Sequence, residues 1–488
     1  MRYGIHWFRR DLRVAGNPAL QANWKAHQGK VVGIFCFDQK FLSRLDFSAH
    51  RFQFFLKTLE ALRSELREAG GDLLFMDVGP ETAFEKLFEK LKAARKPLPA
   101  QVSWNRDYEP FARNRDEKMA HWFQKQGVAI ATERDHVLLE PHEIFKGEDL
   151  NSAYQVYSPF SRKWMEFLKT PGIRNRVESQ KKGLKYLKGH PEAIFSATWK
   201  ELLPEKDRED LLAIYLRENG RKVSIPIPEV GTRTALQRLR AFSHVIPNYG
   251  KDRDIPSLDG TSQLSQFFKN GSLTGAQVIA ELDLDRPGKL KEGEEKFLKE
   301  IIWREFYYHI LWHFPRVEKT AFLEKFAHLN WENNQKHFKA WKEGLTGYPI
   351  VDAGMRQLAQ TGWMHNRVRM VVASFLTKDL LIDWKWGEQY FMEALLDGDL
   401  APNNGGWQWA ASTGCDPQPY FRIFNPYLQS KKFDPEGTYI RKFVPELKHL
   451  SAKEIHEPGL NRPKNYPLPI VEHAVQREKA LKMYGAKP

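Results

Sequence analysis

Residues 347–370 read GYPIVDAGMRQLAQTGWMHNRVRM, and residues 397–417 read DGDLAPNNGGWQWAASTGCDP. Apolar positions recur at helical spacing through the first run, which predicts helix rather than strand. Arginines stand beside tryptophans, and this mixture suits a nucleic acid, because phosphates need cations and unstacked bases need flat apolar partners. The second run pairs acids, asparagines and glycines in one short loop, which indicates a bound polar cofactor.

The composition is that of a globular protein with an excess of basic residues. The chain has 488 residues, 42% hydrophobic and 13% aromatic, which is enough for two or three domains with substantial cores. Its 75 basic and 61 acidic residues leave a formal charge of +14. This excess is spread along the chain and favours a polyanionic partner through counterion release, with a solvated basic surface as the alternative.

The cysteine content and the N-terminus indicate the compartment. Cys36 and Cys415 are the only cysteines, too few for an iron–sulfur cluster, a cysteine-rich zinc module or a disulfide framework. The N-terminal MRYGIHWFRRDLRV is interrupted by charges and lacks the features of a secretory signal. No run of about twenty apolar residues predicts a membrane span. We therefore expect a cytoplasmic protein.

The first 135 residues alternate short apolar runs with amphipathic stretches. The runs YGIHWF, KVVGIFCF, DLLFMDV, QVSW and VAIAT predict strands. Because parallel strands need crossover connections, the alternation predicts an α/β domain over residues 1–135, with a parallel, doubly wound sheet. The fingerprint G-x-G-x-x-G is absent after the first strand, where WFRRDLRV stands, so we do not expect a dinucleotide at that turn.

The remainder of the chain divides into three parts. Residues 136–225 are basic, proline-punctuated and weakly periodic, and predict a long interdomain linker with some helix. Helical periods dominate residues 226–475, which predict an all-α second domain. Residues 476–488 are predicted to be a C-terminal tail.

The predicted helix EIIWREFYYHILWHF places Glu300, Trp303 and Tyr307 on one face beside Arg304. An acid, an indole and a guanidinium in this arrangement can bind a nucleic-acid base. The alternative is structural: Trp303 belongs to the core, and Glu300 pairs with Arg304 one turn later.

Two further patterns suggest ligand contacts. Trp363, Asn366 and Met370 repeat the same spacing, and an adaptable methionine beside an amide suits a flat heteroaromatic ligand, with core packing as the alternative. GTSQLS, residues 260–265, carries hydroxyls ahead of a helical run. Those hydroxyls suit either simple helix capping or an anionic phosphate at the helix start.

Metal sites are not expected. His309 and His313 are four residues apart, but the acid of H-E-x-x-H is missing between them. The acidic loop fails as a calcium loop, because Ala401, Pro402 and Gln408 occupy positions that need a ligand, a glycine and a glutamate. Its acids can instead pair with arginines or accept hydrogen bonds from a ribose or a heterocycle.

Taken together, the ordered motifs GTSQLS, IIWREFYYH, WENN, TGYPIVDAGMRQL, TGWMHNRVRM and DGDLAPNNGGWQW resemble the DNA photolyase and cryptochrome family. The resemblance runs from WFRRDLR to the C-terminal NYPLPIVEH. Within the family, the chain is most similar to bacterial class I cyclobutane pyrimidine dimer photolyases.

The resemblance implies FAD, bent into a U-shape, within the helical domain. It assigns the phosphate and ribose side to Tyr249, Thr261, Ser262, Gln263, Leu264 and Ser265, and the flavin side to Arg369, Asp397, Gly398, Asp399 and Asn403. A neutral amide at Asn403, near flavin N5, permits a stable reduced, anionic flavin, whereas a carboxylate there would disfavour the added charge.

The resemblance also implies ultraviolet-damaged DNA as the partner and a flipped-out pyrimidine dimer as the substrate. The residues assigned to DNA are Arg253, Glu300, Trp303, Arg304, Tyr307, Asn366, Arg367, Met370, Trp409 and Arg422. Light-excited reduced flavin is expected to donate an electron to the dimer, whose cyclobutane bonds then break. Glu300 is expected to stabilise the dimer radical anion.

Two further sets follow from the family. Trp407, Trp384 and Trp331 match its chain of indoles that carries electrons during photoreduction. The antenna chromophore is expected to be a deazaflavin rather than a folate, on the residues Cys36, Arg51, Asp107, Glu109 and Lys269. Lys319 also matches a folate-site lysine, although Glu318 beside it departs from that pattern.

Three alternatives remain at this stage. A cryptochrome photoreceptor would use the same flavin without repair, and Asn403, Glu300 and Met370 argue against it. A (6-4) photolyase would carry a histidine pair where this chain offers only His365. A non-enzymatic DNA-binding module would lack flavin. We expect a monomer in the bacterial cytoplasm, associated with the nucleoid.

Overall fold

The computed structural model describes residues 2–147, 152–186, 194–286 and 288–485, without the side chains of residues 184–186. The first domain is built on a parallel sheet with the strand order β3-β2-β1-β4-β5. The strands are β1 (Gly4–Phe8), β2 (Val31–Cys36), β3 (Leu73–Met76), β4 (Gln101–Asn105) and β5 (Ala129–Glu133). Each predicted apolar run forms one of these strands, so the expected sheet is confirmed.

Helices cover both faces of this sheet. They are α1 (Pro18–Ala26), α2 (Gln39–Leu42), α3 (Ala49–Glu68), α4 (Pro80–Ala93) and α5 (Pro110–Lys125). Leu56 of α3 belongs to the apolar cluster on one face together with Phe35, and Phe84 of α4 belongs to the cluster on the other face together with Trp104. The strand order reverses between β1 and β4, so residues 9–13, which follow β1, lie at the crevice where such sheets bind ligands.

The segment predicted as a linker is largely helical and contacts both domains. Its helices are α6 (Tyr157–Leu168), α7 (Pro171–Tyr186), α8 (Trp199–Leu202) and α9 (Leu211–Gly220). Buried Glu305 of the second domain accepts hydrogen bonds from the Leu138 N–H at 2.5 Å and the Trp164 indole at 2.7 Å. Trp199 donates to the Gly33 carbonyl in the sheet at 2.6 Å. The domain boundaries themselves stay predictions.

The second domain is helical, as predicted: beyond Glu133, the described residues contain no strand. Its helices are α10 (Gly231–Ser243), α11 (Tyr249–Asp252), α12 (Ser265–Asn270), α13 (Gly275–Glu281), α14 (Glu292–His313), α15 (Gln335–Glu343), α16 (Pro349–Thr361), α17 (Asn366–Ser374), α18 (Trp384–Ala394), α19 (Leu400–Ala410), α20 (Pro426–Phe433), α21 (Thr438–Phe443) and α22 (His473–Met483). None of the helices within the described ranges is both long and apolar enough to cross a membrane.

The last helix runs through the start of the predicted tail. His473 of α22 lies 2.6 Å from the carboxylate of Asp379, and Gln476 donates to the Asp379 carbonyl at 2.5 Å. Asp379 closes a single π-helical turn that follows α17. These contacts hold α22 against the core of the helical domain.

Candidate active site

Asp397, in the loop before α19, is buried and has one unpaired oxygen. Arg369 of α17 donates to its Oδ2 at 2.8 Å and is itself held by the Met364 carbonyl at 2.8 Å. Oδ1 is buried and has no hydrogen-bond partner. A buried carboxylate oxygen without a donor is costly, so this atom marks a place where a ligand N–H can bind. The isoalloxazine ring of FAD carries an imide N–H of this kind, and these residues therefore fit the predicted cofactor.

Asp399, two residues later, is held by side chains from both domains. Its Oδ1 accepts from the Tyr308 hydroxyl at 2.6 Å and from Arg10 of the first domain at 2.9 Å, and Lys269 lies 3.3 Å away. Burial alone would raise the pKa of Asp399, but Arg10, Lys269 and Arg304 hold it well below its usual range. Asp399 is therefore an anion that links the two domains.

Three residues predicted for the antenna belong to the same network. Arg10 lies 2.6 Å from Glu109 and 3.7 Å from Asp107, and Lys269 lies 3.6 Å from Glu109. Cys36 is buried at the end of β2. The crevice after β1 thus brings predicted antenna residues and a predicted flavin residue into one set of contacts. Sequence reasoning missed Arg10, although its position directly after the first strand is a usable signal.

Arg51, also predicted for the antenna, has different surroundings. Its guanidinium donates to the carbonyls of Met392 and, at 3.4 Å, Leu395, at the end of α18. A cation at this position satisfies terminal carbonyls and complements the helix dipole. A side chain at position 398 would displace the same guanidinium, so Gly398 allows the close approach of Arg51 to the loop. Arg51 therefore supports the loop that carries Asp397, and its antenna contact stays a prediction.

Glu300, predicted to bind the lesion, pairs with Arg253 at 2.7 Å. The alternative pairing with Arg304 is wrong, because that guanidinium turns to the interior, where it donates to the His136 carbonyl at 3.0 Å and lies 3.6 Å from Asp399. The predicted contact between Arg304 and DNA would require these bonds to break. The Glu300 side chain remains one-third exposed.

Trp303 forms the centre of an aromatic surface next to Glu300. Tyr157 stacks on it with the ring centroids 3.5 Å apart and the planes 5° from parallel, and Tyr307 lies 5.7 Å away on the same helix. Tyr307 packs so closely on Gly405 of α19 that no side chain fits there. Tyr157 was missed because it comes from the predicted linker, far upstream.

The other residues predicted for DNA lie at or near the surface. Arg367 pairs with Asp254 at 2.8 Å, and its guanidinium lies 4.3 Å from the ring centre of Phe433. Asn366 and Arg422 are exposed, whereas Met370 and Trp409 are half-buried. A basic side chain already held near a surface acid can exchange that partner for a phosphate, because both are anions.

Asn403 and Asn404 both contact Glu388 of α18. The Asn403 amide donates to the Glu388 backbone carbonyl at 3.0 Å, and the Asn404 amide donates to its carboxylate at 2.8 Å. Burial raises the pKa of Glu388 to about 7, although the Asn404 hydrogen bond opposes this shift. Glu388 was missed because, in the sequence, it reads as an ordinary acid on an amphipathic helix.

The GTSQLS segment lies ahead of α12 without capping it. The residue before the helix is Leu264, and no side chain accepts a capping hydrogen bond there, so the simple capping alternative is wrong. Gln263 has a positive φ of 48°, accepts from Arg238 at 2.7 Å and donates to Asp259 at 2.9 Å. Tyr249 is buried. The phosphate contacts predicted for this segment stay predictions.

The three predicted electron-transfer tryptophans differ in burial. Trp407 and Trp384 are each 2% exposed, while Trp331 is half-buried and lies 6.4 Å from Tyr484. The indole N–H of Trp407 is buried and has no acceptor. This row of indoles stays a prediction.

Two family models match the chain. The model described as DNA photolyase matches residues 4–180, and the model described as FAD binding domain of DNA photolyase matches residues 297–486. The second match includes α17, α18, α19 and the loop that carries Asp397.

Similar proteins of the same length are known. A deoxyribodipyrimidine photo-lyase from Vibrio cholerae is 39% identical over 489 residues, covering 98% of both chains. A bacterial class III photolyase structure from Agrobacterium tumefaciens has a TM-score of 0.82 at 34% identity, covering 100% of this chain and 98% of that one. An archaeal photolyase from Sulfolobus tokodaii, solved with two FAD molecules, has a TM-score of 0.78 at 29% identity, covering 99% of both chains.

Proposed function

The chain belongs to the DNA photolyase family, and we propose that it repairs cyclobutane pyrimidine dimers in DNA, driven by light. It carries an FAD-binding domain. Bound FAD would supply the light-absorbing group and the electron that breaks the two cyclobutane bonds. The main support for the proposal is the buried oxygen of Asp397, which has no hydrogen-bond partner and can bind the flavin. The same helical domain carries the aromatic surface around the half-buried Trp303, which can bind the dimer.

The proposed cofactor contacts follow from the charges and hydrogen-bonding groups of the residues assigned to FAD. Asp397 would accept the imide N–H of the flavin ring, while Arg369 holds the carboxylate in place. Asn403 would present a neutral amide to the ring. A neutral amide does not repel the negative charge that the flavin ring gains on reduction. Tyr249 and residues 261–265 would contact the phosphates and the ribose, and Arg238, which touches Gln263, would add positive charge there.

The DNA contacts divide into two kinds. Arg253, Arg367 and Arg422 would bind backbone phosphates, which fix orientation but carry no information about the lesion. A damaged, poorly stacked dimer costs less to extrude than intact bases, and this difference favours the lesion. Once extruded, the dimer would meet polar and apolar side chains on one surface: Glu300, Trp303, Tyr307, Asn366, Met370 and Trp409.

Glu300 would do its main work when charge develops on the dimer. A carboxyl group that hydrogen-bonds or shares a proton with the dimer stabilises the radical anion more than the ground state, and only such differential stabilisation speeds the reaction. Its pairing with Arg253 would have to loosen when the dimer enters. Arg253 could then turn to the phosphate beside the lesion.

The antenna is proposed to be a deazaflavin in the crevice after β1. Lys269 would meet the anionic ring, and Asp107 and Glu109 would accept its hydroxyls or N–H groups, with Cys36 and Arg51 nearby. The relative from Sulfolobus tokodaii was solved with two FAD molecules, which its description takes to imply a novel light-harvesting cofactor, so a second flavin must also be tested for. Extraction of the purified protein, followed by mass spectrometry, separates a deazaflavin, a folate and a second flavin.

The decisive experiment compares two lesions. The FAD-loaded, chemically reduced protein is illuminated with DNA that carries one thymine dimer or one (6-4) product, and the restored thymines are measured. We expect repair of the dimer only, in the light only. Repair of the (6-4) product would identify the other enzyme class, and bound flavin without any repair would favour a photoreceptor. We further propose that the protein acts as a monomer in the bacterial cytoplasm, at the nucleoid.

A further inference from the structure

Tyr157, the first residue of α6, contacts both parts of the helical domain that carry tryptophans assigned to the dimer. Its ring stacks on Trp303 of α14, with the ring centroids 3.5 Å apart and the planes 5° from parallel. Its backbone N–H donates to the Asp416 carboxylate at 3.0 Å, in the loop that follows α19. Trp409 belongs to the last turn of α19. One residue of the segment predicted as a linker therefore connects two distant parts of the chain.

The stack leaves Trp303 with one ring face for a ligand, because Tyr157 covers the other face. Phe306 meets the indole nearly edge-on, with the planes 77° apart, and the Tyr307 ring is tilted by 34°. Among the described aromatic rings, only that of Tyr157 is parallel to the indole, so this contact fixes the plane of the Trp303 ring. Trp303 is half-buried, and a base can stack on its remaining face.

Hydrogen bonds at both ends of Tyr157 hold its ring in place. The hydroxyl donates to the Lys299 carbonyl at 2.9 Å, one turn before Trp303 on α14. The backbone N–H is one of the first four of α6, which have no acceptor inside the helix. Asp416 supplies that acceptor from 259 residues away and complements the positive end of the helix dipole. Tyr157 is 9% exposed, so water has little access to these bonds.

The loop that carries Asp416 is bonded to the end of α19. The Ser412 N–H donates to the Trp409 carbonyl at 3.2 Å. The Gly414 N–H donates to the Gln408 carbonyl at 3.1 Å. Asp416 itself has a positive φ of 43°, a conformation that aspartate adopts more readily than most residues. The start of α6, this loop and the last turn of α19 are therefore held in one arrangement.

We propose that Tyr157 is a positioning residue for the lesion, and this proposal rests on the proposed function. Tyr157 sets the plane of Trp303 by stacking and, through Asp416, the position of Trp409. The two indoles are thereby held at a separation that suits two covalently joined pyrimidines. Because these side chains are ordered before DNA arrives, binding does not lose the free energy of ordering them. This role requires no contact between Tyr157 and the dimer.

The first test measures binding in the dark. The FAD-loaded protein is titrated with a duplex that carries one thymine dimer and with the same duplex undamaged. Tyr157→Leu removes the stacked ring and should raise the Kd for damaged DNA about 2-fold to 10-fold, without raising the Kd for undamaged DNA. Tyr157→Phe keeps the ring and the backbone N–H, and it should bind as the parent does.

Tyr154→Leu is the matched control. Tyr154 lies three residues upstream and packs on Phe160 and His309. This variant should leave both Kd values unchanged. An equal loss of affinity for damaged and undamaged DNA in Tyr157→Leu, or no loss at all, would overturn the proposal.

The second test addresses the link to α19 and serves if Tyr157→Leu does not fold. Asp416→Ala removes the acceptor of the Tyr157 N–H and should raise the Kd for damaged DNA alone. Asp416→Asn keeps a side-chain oxygen there and should restore the affinity. Combining Tyr157→Leu with Asp416→Ala should cost less than the product of the two single losses, since both changes release the same arrangement. Losses that simply multiply would overturn the link to Trp409.

A third measurement separates positioning from a general structural role. In the light, Tyr157→Leu should need about 2-fold to 10-fold more dimer-containing DNA for half-maximal repair, with the maximal rate and the FAD content unchanged. The reason is that Tyr157 acts on capture of the dimer and not on the splitting of a bound one. A lower maximal rate at unchanged half-saturation would overturn the proposal.

The two proposals fail in different ways. Absence of bound FAD, or of light-driven dimer repair by the parent protein, would reject the proposed function. Normal repair by the parent, with unchanged binding of damaged DNA in Tyr157→Leu and Asp416→Ala, would reject the role of Tyr157 alone.

Discussion

The two carboxylates of the DGD loop, Asp397 and Asp399, show two different uses of the same side chain. Asp399 contacts cations and a tyrosine hydroxyl from both domains, whereas Asp397 has one arginine and an oxygen without a donor. Only one residue, Gly398, separates them. The charged residues of the crevice after β1 therefore already pair with one another, while the helical domain keeps a polar position ready for a ligand.

The same contrast extends to the surroundings of each carboxylate. Around Asp399, the contacts join residues far apart in sequence, and they hold the loop in place. The proposed lesion surface has side chains that are partly or fully exposed: Glu300, Trp303, Tyr307, Asn366, Met370 and Trp409. We therefore expect substitutions in the crevice to act mainly on stability and those in the helical domain to act mainly on binding and repair.

Arg10→Met should have the largest effect of these changes, and it should act on the free energy of unfolding. The change removes a cation that pairs with both Asp399 and Glu109, and because Lys269 remains near both acids, the loss should be somewhat below the ~3–5 kcal/mol that breaking a fully buried pair costs. Urea denaturation of the FAD-loaded protein measures the loss.

Arg44→Met is the control, because Arg44 pairs with Asp46 on the exposed surface and should lose less than about 1 kcal/mol. Equal losses of unfolding free energy in the two variants would mean that the ion pairs of the crevice contribute no more to stability than a surface pair.

Asp397→Ala should weaken FAD binding rather than stability. Loss of a charge-assisted hydrogen bond typically costs about 1.5–3 kcal/mol, which corresponds to about a 10-fold to 150-fold higher Kd. Titration of the apoprotein with FAD measures this change. Asp397→Asn keeps an acceptor oxygen and should lose less. If both variants bind FAD as the parent does, the unpaired oxygen is not a cofactor contact.

The sequence predicted the elements better than the contacts between them. Alternating apolar runs marked all five described strands, because strand burial leaves a local pattern. Tyr157, which stacks on Trp303, and Arg10, which binds Asp399, left no local pattern, because each reaches its partner from another part of the chain. Helical spacing placed Arg304 next to Glu300, but a long side chain can turn toward a stronger, buried anion.

Glu300→Ala should slow dimer splitting and leave FAD content unchanged, because the residue lies on the lesion surface. Removing one hydrogen bond to the charged dimer typically costs about 1.5–3 kcal/mol, which should slow repair roughly 10-fold to 150-fold. Flash photolysis of the reduced protein with dimer-containing DNA measures that rate.

The control for this change is Glu295→Ala on the same helix. Glu295 pairs with Lys299 on the surface, and its loss should leave repair intact. Glu300→Gln keeps a hydrogen-bonding group and should recover part of the rate. Loss of flavin from the Glu300 variants would instead place this residue at the cofactor.

Arg422→Ala should give the smallest effect, and its signature is in the salt dependence. Arg422 is exposed, so its predicted role is one phosphate contact. Removing one such contact should reduce the slope of log K against log salt by about 0.9 and weaken binding of damaged and undamaged duplexes alike. Arg217→Ala, an exposed change in α9, should leave the slope unchanged. A loss of affinity confined to damaged DNA would show that Arg422 recognises the lesion. Arg422 would then belong with the residues that contact the dimer and not with those that contact phosphates.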